Sequence, residues 1–360
     1  MAGVPGGFFS GWSGLGRFWL GVVILAGAGA GLLEALAPAP RLSVTVAGPV
    51  VHADPLPVTT RAPDAKSAKP ADSAPPPEQP GRATAGPIAD PDPSLLEPYP
   101  GDTTLKLPRI SPDGRTPMAA YAAGFDPSTL RPRVGLLIAG IGMSEADSLS
   151  AVKDLPGGVT LAISPYASNM AHLLEIARMR EHEYLLSVPM EPLGYPVNDP
   201  NDRHALMTSL RPAENLNRLL WVLSRLTGYV GVTSALGQMH GERLAGVPDQ
   251  FGPVLAEVGR RGLLFVDART GQTPSGPAWN RPVDMVIDGD PVDAATLDQR
   301  LDALARLATD KGSALGLVSV PRPLTLSRVA AWAGTLTAKG LALAPVSALV
   351  VAPAQQETAK

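Results

Sequence analysis

The chain has 360 residues, a formal net charge of −3, no cysteine, and 39 prolines and 37 glycines that are unevenly spread. The missing cysteine excludes disulfides, thiolate metal sites, a cysteine nucleophile and a lipidated cysteine anchor. The weakly acidic balance gives no electrostatic basis for a nucleic-acid partner, while a 45% hydrophobic composition is enough for a sizeable core.

A short tail, residues 1–17, precedes the apolar run Phe18 to Leu33 within "RFWLGVVILAGAGAGLLEALAPAP". Extended to residue 37, the run approaches the roughly 20 apolar residues that a membrane-spanning helix needs. Ala35-Leu36-Ala37 also resembles a cleavage site, so a removed signal is the alternative. Arg17 on the N-terminal flank favours a cytoplasmic N-terminus. The expectation is a single-pass inner-membrane anchor at 18–37, with the C-terminal domain in the periplasm.

Residues 38–98 are rich in Pro, Ala, Ser and Asp and nearly free of aromatics. Such a segment cannot bury enough apolar area to offset its chain entropy, so it reads as a disordered tether. At about 3.1 Å per residue it can reach on the order of 100 Å or more. Residues 99–130 read as a semi-ordered lead-in.

From Arg131 to about residue 352 short apolar runs alternate with amphipathic ones, and residues 353–360 form a tail. Strand patterns fall on "VGLLIAGIG", "VTLAISP", "YLLSV", "YVGVTS", "LLFVDART", "DMVID", "ALGLVSV" and "LALAPVS". Helices are predicted from Ser144, which heads a capping-box pattern, and over 169–180, a segment led by Pro212, 250–261, 293–311 and 327–339. Apolar strands joined by helices imply a parallel sheet covered on both faces. The count favours an α/β fold closed into a distorted, possibly incomplete (β/α) barrel, whose chemistry belongs at the C-terminal strand ends.

Those ends yield a short list. Gly140-Ile141-Gly142 lacks the third glycine of a dinucleotide fingerprint, so the glycines serve a tight turn. Glu191 follows a strand end between two prolines and is a candidate acid, base or ligand; an ordinary loop hydrogen bond is the equal alternative. Asp267 ends an apolar strand, and Arg269 points to the same side by period-2 logic. That pair either orients a substrate or locks its own loop. Tyr166, Ser187, Thr233, Ser234, Gln238, His240 and Thr270 are the candidate substrate contacts. No two of the five histidines have metal-site spacing.

The ordered motifs "LLIAGIGMS", "LAISPYA", "LLSVPMEPLGYP", "GYVGVTSALGQ", "RGLLFVDART" and "GSALGLVSVPRP" resemble the divergent polysaccharide deacetylase family. The resemblance implies a distorted barrel of about seven parallel strands and, in ordinary relatives, metal-assisted removal of N-acetyl groups from glycans. Active relatives carry an Asp-Asp after the first strand and histidines in later loops. This chain has Ala139 and Gly140 at the acidic pair, and Ser187, Ala235 and Val320 at histidine positions. It keeps the surrounding scaffold: Pro189, Glu191, Pro192, Gly237, Asp267, Arg269 and Thr270. No cofactor is expected, and zinc enters only if Glu191, Asp267 and His240 act as replacement ligands.

Two functions follow from the resemblance. One is an envelope hydrolase of N-acetylated glycan, with Glu191, Asp267 and Arg269 as catalytic residues. The other is a catalytically silent barrel that binds glycan, peptidoglycan or a cell-wall-remodelling partner.

Overall fold

The computed structural model describes residues 84–198, 203–272 and 276–353. Among them no helix is long and apolar enough to cross a membrane. The expected anchor at 18–37, most of the tether and the C-terminal residues from 354 lie outside the described residues.

The tether expected up to residue 98 is overturned over its last part. Asp92 caps a 3-10 turn, Pro93–Leu95, by accepting from Ser94 N. Strands β1 (Leu96–Tyr99) and β2 (Asp102–Pro108) then pair antiparallel. This hairpin has little core of its own. Leu95 and Leu107 are buried, and Arg261, only 3% exposed, reaches Glu97 at 2.9 Å and the Pro108 carbonyl at 2.7 Å. Composition alone misses a segment whose stability is supplied by another element. A one-turn helix, α1 (Pro117–Ala120), closes the lead-in.

The barrel strands are β3 (Arg133–Ile141), β4 (Thr160–Ile163), β5 (Tyr184–Ser187), β6 (Gly231–Thr233), β7 (Leu264–Asp267), β8 (Asn280–Pro282), β9 (Met285–Val286) and β10 (Ser313–Val318). They form one curled sheet in the order β8-β7-β6-β5-β4-β3-β10-β9, and β11 (Ala342–Leu343) adds to β3. Every pairing in this sheet is parallel. The two end strands are halves of one chain segment. Val283 N donates to Asp267 O of β7, and the next residue, Asp284, donates to Leu315 O of β10. The sheet therefore curls back on itself as a distorted barrel, its strand count raised because one segment is split in two.

Alternation along the strands builds two apolar layers. Leu136 and Ile138 of β3 pack with the helix-facing cluster, whereas Leu137 and Ala139 join Leu185, Val266 and Leu317 in the other. The covering helices are α2 (Glu145–Asp154), α3 (Ala171–Met179), α4 (Pro212–Leu223), the short α5 (Glu242–Ala245), α6 (Pro248–Arg260), α7 (Ala294–Lys311) and α8 (Pro323–Ala333). Ser144 caps α2 through Asp147 N, and Asp293 caps α7 through Thr296 N. The last long helix begins earlier than the apolar spacing suggests, because Pro323 occupies its first turn, and its C-cap is Gly334.

Candidate functional site

The loops after the C-terminal strand ends form the mouth. By alternation from the inner apolar layer, its uppermost side chains are Ala139, Ser164, Ser187, Thr233, Asp288 and Ser319. All are at most 3% exposed. Ala139 apart, polar groups thus replace aliphatic ones at the top of an otherwise apolar interior. Ser187 and Thr233 are direct cross-strand neighbours.

Where the family resemblance places an acidic pair, Ala139 is fully buried and Gly140 has a φ of +75°. A Cβ on Gly140 would lie 3.1 Å from Pro321 Cδ and 3.3 Å from Ser319 O. A side chain there would be strained in its backbone and crowded by the loop after β10.

The candidate carboxylates are all engaged. Glu191 Oε2 accepts from Thr208 N at 2.6 Å and Thr208 Oγ1 at 2.7 Å, while its Oε1 lies 3.0 Å from Arg243 Nε. The Glu191 carbonyl also accepts from Arg243 N and Leu244 N. Glu191 therefore stitches the long loop after β5 to α5. Asp267 is fully buried and grips Arg269, with Nη2 at 2.7 Å, Nε at 3.0 Å and the Arg269 backbone N at 3.0 Å. Arg269 lies over the Phe251 ring of α6, 5.7 Å from its centroid. The pair expected from the sequence forms, and it pins the loop after β7 to a helix.

Asp288 was not singled out from the sequence. Its carboxylate accepts from Ser319 N at 2.7 Å and Val320 N at 2.9 Å, and Arg322 Nη1 lies 3.4 Å away. The signal was available, since Asp288 follows the apolar run "MVI" just as Asp267 follows "LLFV".

His240 is half-buried. Its Nδ1 faces Glu242 Oε1 at 3.6 Å, and its Nε2 is buried with no hydrogen-bond partner, as is Ser187 Oγ. Burial holds the imidazole below its ordinary pKa, outweighing the carboxylates of Glu242, Asp288 and Asp267. Thr233 Oγ1 accepts from Ala235 N and Ser234 Oγ from Ala268 N, so both brace their loops. Tyr166, Gln238 and Thr270 are exposed on the rim.

The remaining histidines among the described residues have other surroundings. His172 lines a cleft of about 450 Å³ between α2 and α3, with Met143, Lys153 and Ile176. His182 is wholly buried below β5, and His204 stacks on Trp221 with ring centroids 3.4 Å apart. Among the described residues no group of three or more His, Asp or Glu side chains could hold a metal ion.

This fold and these motifs define a deacetylase-type barrel, and the chain belongs to the divergent polysaccharide deacetylase family, whose sequence model matches residues 136–350. Among solved structures it is similar to the uncharacterized protein ATU2773 from Agrobacterium tumefaciens C58. The two share 30% identity and a TM-score of 0.62, over 68% of this chain and all of that one (100%). A family 4 carbohydrate esterase from Streptomyces lividans, solved in complex with acetate, is similar at 17% identity and a TM-score of 0.39, over 62% of this chain and 98% of that one. No curated protein matches the chain.

Proposed function

We propose that the chain is a glycan-binding member of its family, in which the barrel mouth recognises an N-acetylated polysaccharide without metal-assisted hydrolysis. The observation that carries this reading is the commitment of the mouth's carboxylates. Glu191, Asp267 and Asp288 each face an arginine and one or more backbone or hydroxyl donors. Zinc requires about four N, O or S donors at roughly 2.0–2.3 Å. The residues present do not fit it: His240 offers one free nitrogen, and each carboxylate would have to leave its guanidinium.

Recognition suits what the mouth retains. Hydroxyl and imidazole groups set in an apolar cup can bond the hydroxyl and amide groups of a sugar while its apolar ring faces are covered. Peptidoglycan is the glycan we favour, with the chain anchored through residues 18–37 and the barrel carried on a tether in the periplasm. A cell-wall-remodelling protein is the alternative partner.

The test measures binding of the purified chain to peptidoglycan and to N-acetylglucosamine oligomers, with and without chelator, alongside an acetate-release assay. The expected result is binding that survives chelation and no acetate above the blank. Catalytic acetate release that chelation abolishes would overturn the reading.

A further inference from the structure

Among the described residues six side chains carry a buried polar atom with no hydrogen-bond partner, and two of them are the candidate substrate contacts Ser187 and His240. Buried polar atoms are hydrogen-bonded in the large majority of cases, so an exception points to a partner that is not protein. Ser187 is 0% exposed and its Oγ has no partner. His240 Nε2 is in the same condition.

Ser187 ends β5, and the loop that follows it adjoins the one that carries His240. A Cβ on Gly241 would lie 2.6 Å from Met190 Cβ, and Glu191 O accepts from the backbone of Arg243 and Leu244. The segment after Ser187 is therefore packed against the segment after His240. The surroundings favour a polarity for each atom. Glu242 faces His240 Nδ1 and favours the proton there, leaving Nε2 as a bare acceptor. Ser187 has a hydroxyl proton to donate and lone pairs to accept. Asp267 and Asp288, the other carboxylates that His240 senses, already face Arg269 and Arg322. A cation would thus find no unneutralised carboxylate there except Glu242, and an anion would be repelled by that same carboxylate. The group that fits is neutral and both donates and accepts, which is a hydroxyl.

We infer that Ser187 and His240 form a donor–acceptor pair for one sugar hydroxyl, with Ser187 Oγ–H donating to its oxygen and His240 Nε2 accepting its proton. The inference rests on the glycan-binding reading and names the residues that anchor the ligand. Gly237 and Gly241, at φ +57° and +70°, bracket the turn that carries His240.

The experiment titrates the full chain with N-acetylglucosamine oligomers and soluble peptidoglycan fragments, comparing wild type with Ser187→Ala and His240→Phe. Each substitution is expected to weaken affinity on the order of tenfold, the usual effect of one lost hydrogen bond in a buried site. Nitrogen NMR of His240 in the wild type supplies a second reading that needs no variant. The Nδ1-protonated tautomer is expected, with the Nε2 signal moving on saturation by the saccharide. Wild-type binding with unchanged variant affinities, or an Nε2 signal that does not move, would overturn the pair and leave glycan binding standing. That outcome would mean the pair holds water only. If the wild type binds no saccharide, both readings fall.

Discussion

Replacing Glu183 tests how the bottom of the barrel is held together. Its carboxylate is 1% exposed and faces no cation at salt-bridge distance among the described residues. Four donors satisfy it: Ala123 N at 3.0 Å, Thr160 Oγ1 at 3.0 Å, Ser347 N at 2.9 Å and Ser347 Oγ. One side chain thus joins the lead-in, β4, the entry to β5 and the C-terminal segment. Glu183→Ala would strand two buried backbone N–H groups, at about 1–3 kcal/mol each. The hydroxyls can turn elsewhere, but the space left by the side chain adds to the loss. The expected destabilisation is about 3–6 kcal/mol, a large part of the 5–15 kcal/mol typical of a domain. Urea unfolding measures it as a fall in midpoint at constant slope.

Glu183 also has a signed pH dependence. Burial pushes its carboxyl above the ordinary value of 4.5, outweighing its four hydrogen bonds. A raised folded-state pKa means that the native state binds more protons than the unfolded one. The contribution is therefore full below 4.5 and is lost as pH rises through the folded pKa. Glu183→Gln should lack that decline. A Glu183→Ala chain within about 1 kcal/mol of wild type would refute the reasoning, because stranded N–H groups cannot be that cheap.

His182 carries the opposite sign. Its ring nitrogens lie 2.8 Å from Val159 O and 3.2 Å from Val152 O, and burial depresses its pKa below 6.5. Its contribution is present above 6.5 and lost as pH falls through the folded value; His182→Gln should flatten that acid limb in melting curves. Asp267→Asn should lower stability by about 2–4 kcal/mol, since breaking one side of a buried pair is costly, and should change saccharide affinity less than about twofold. Arg261→Met should release the hairpin at 96–108, costing about 3 kcal/mol and speeding hydrogen exchange there before the barrel opens.

Local chemistry made much of the fold legible. The apolar strands, the Ser144 cap and the proline at the start of the helix Pro212–Leu223 all act within a few residues, and their elements formed where expected. The split strand did not show, because Asn280–Pro282 and Met285–Val286 are defined by partners on opposite sides of the curled sheet. The hairpin was hidden by its Pro-rich surroundings and by its dependence on Arg261. At the mouth, the Asp267–Arg269 pair was readable from period-2 spacing alone. The engagement of Glu191 was not, since Thr208 and Arg243 reach it from distant parts of the chain. Nor could sequence reveal that Ser187 Oγ and His240 Nε2 would be left without partners.

The mouth's carboxylates belong to their arginines and not to a metal. Elemental analysis of the purified chain, after dialysis against trace zinc, manganese and nickel, tests that claim most directly. Far less than one metal per chain is expected. A near-stoichiometric metal that persists through dialysis would contradict it and would return Asp267, Glu191 and His240 to the role of ligands.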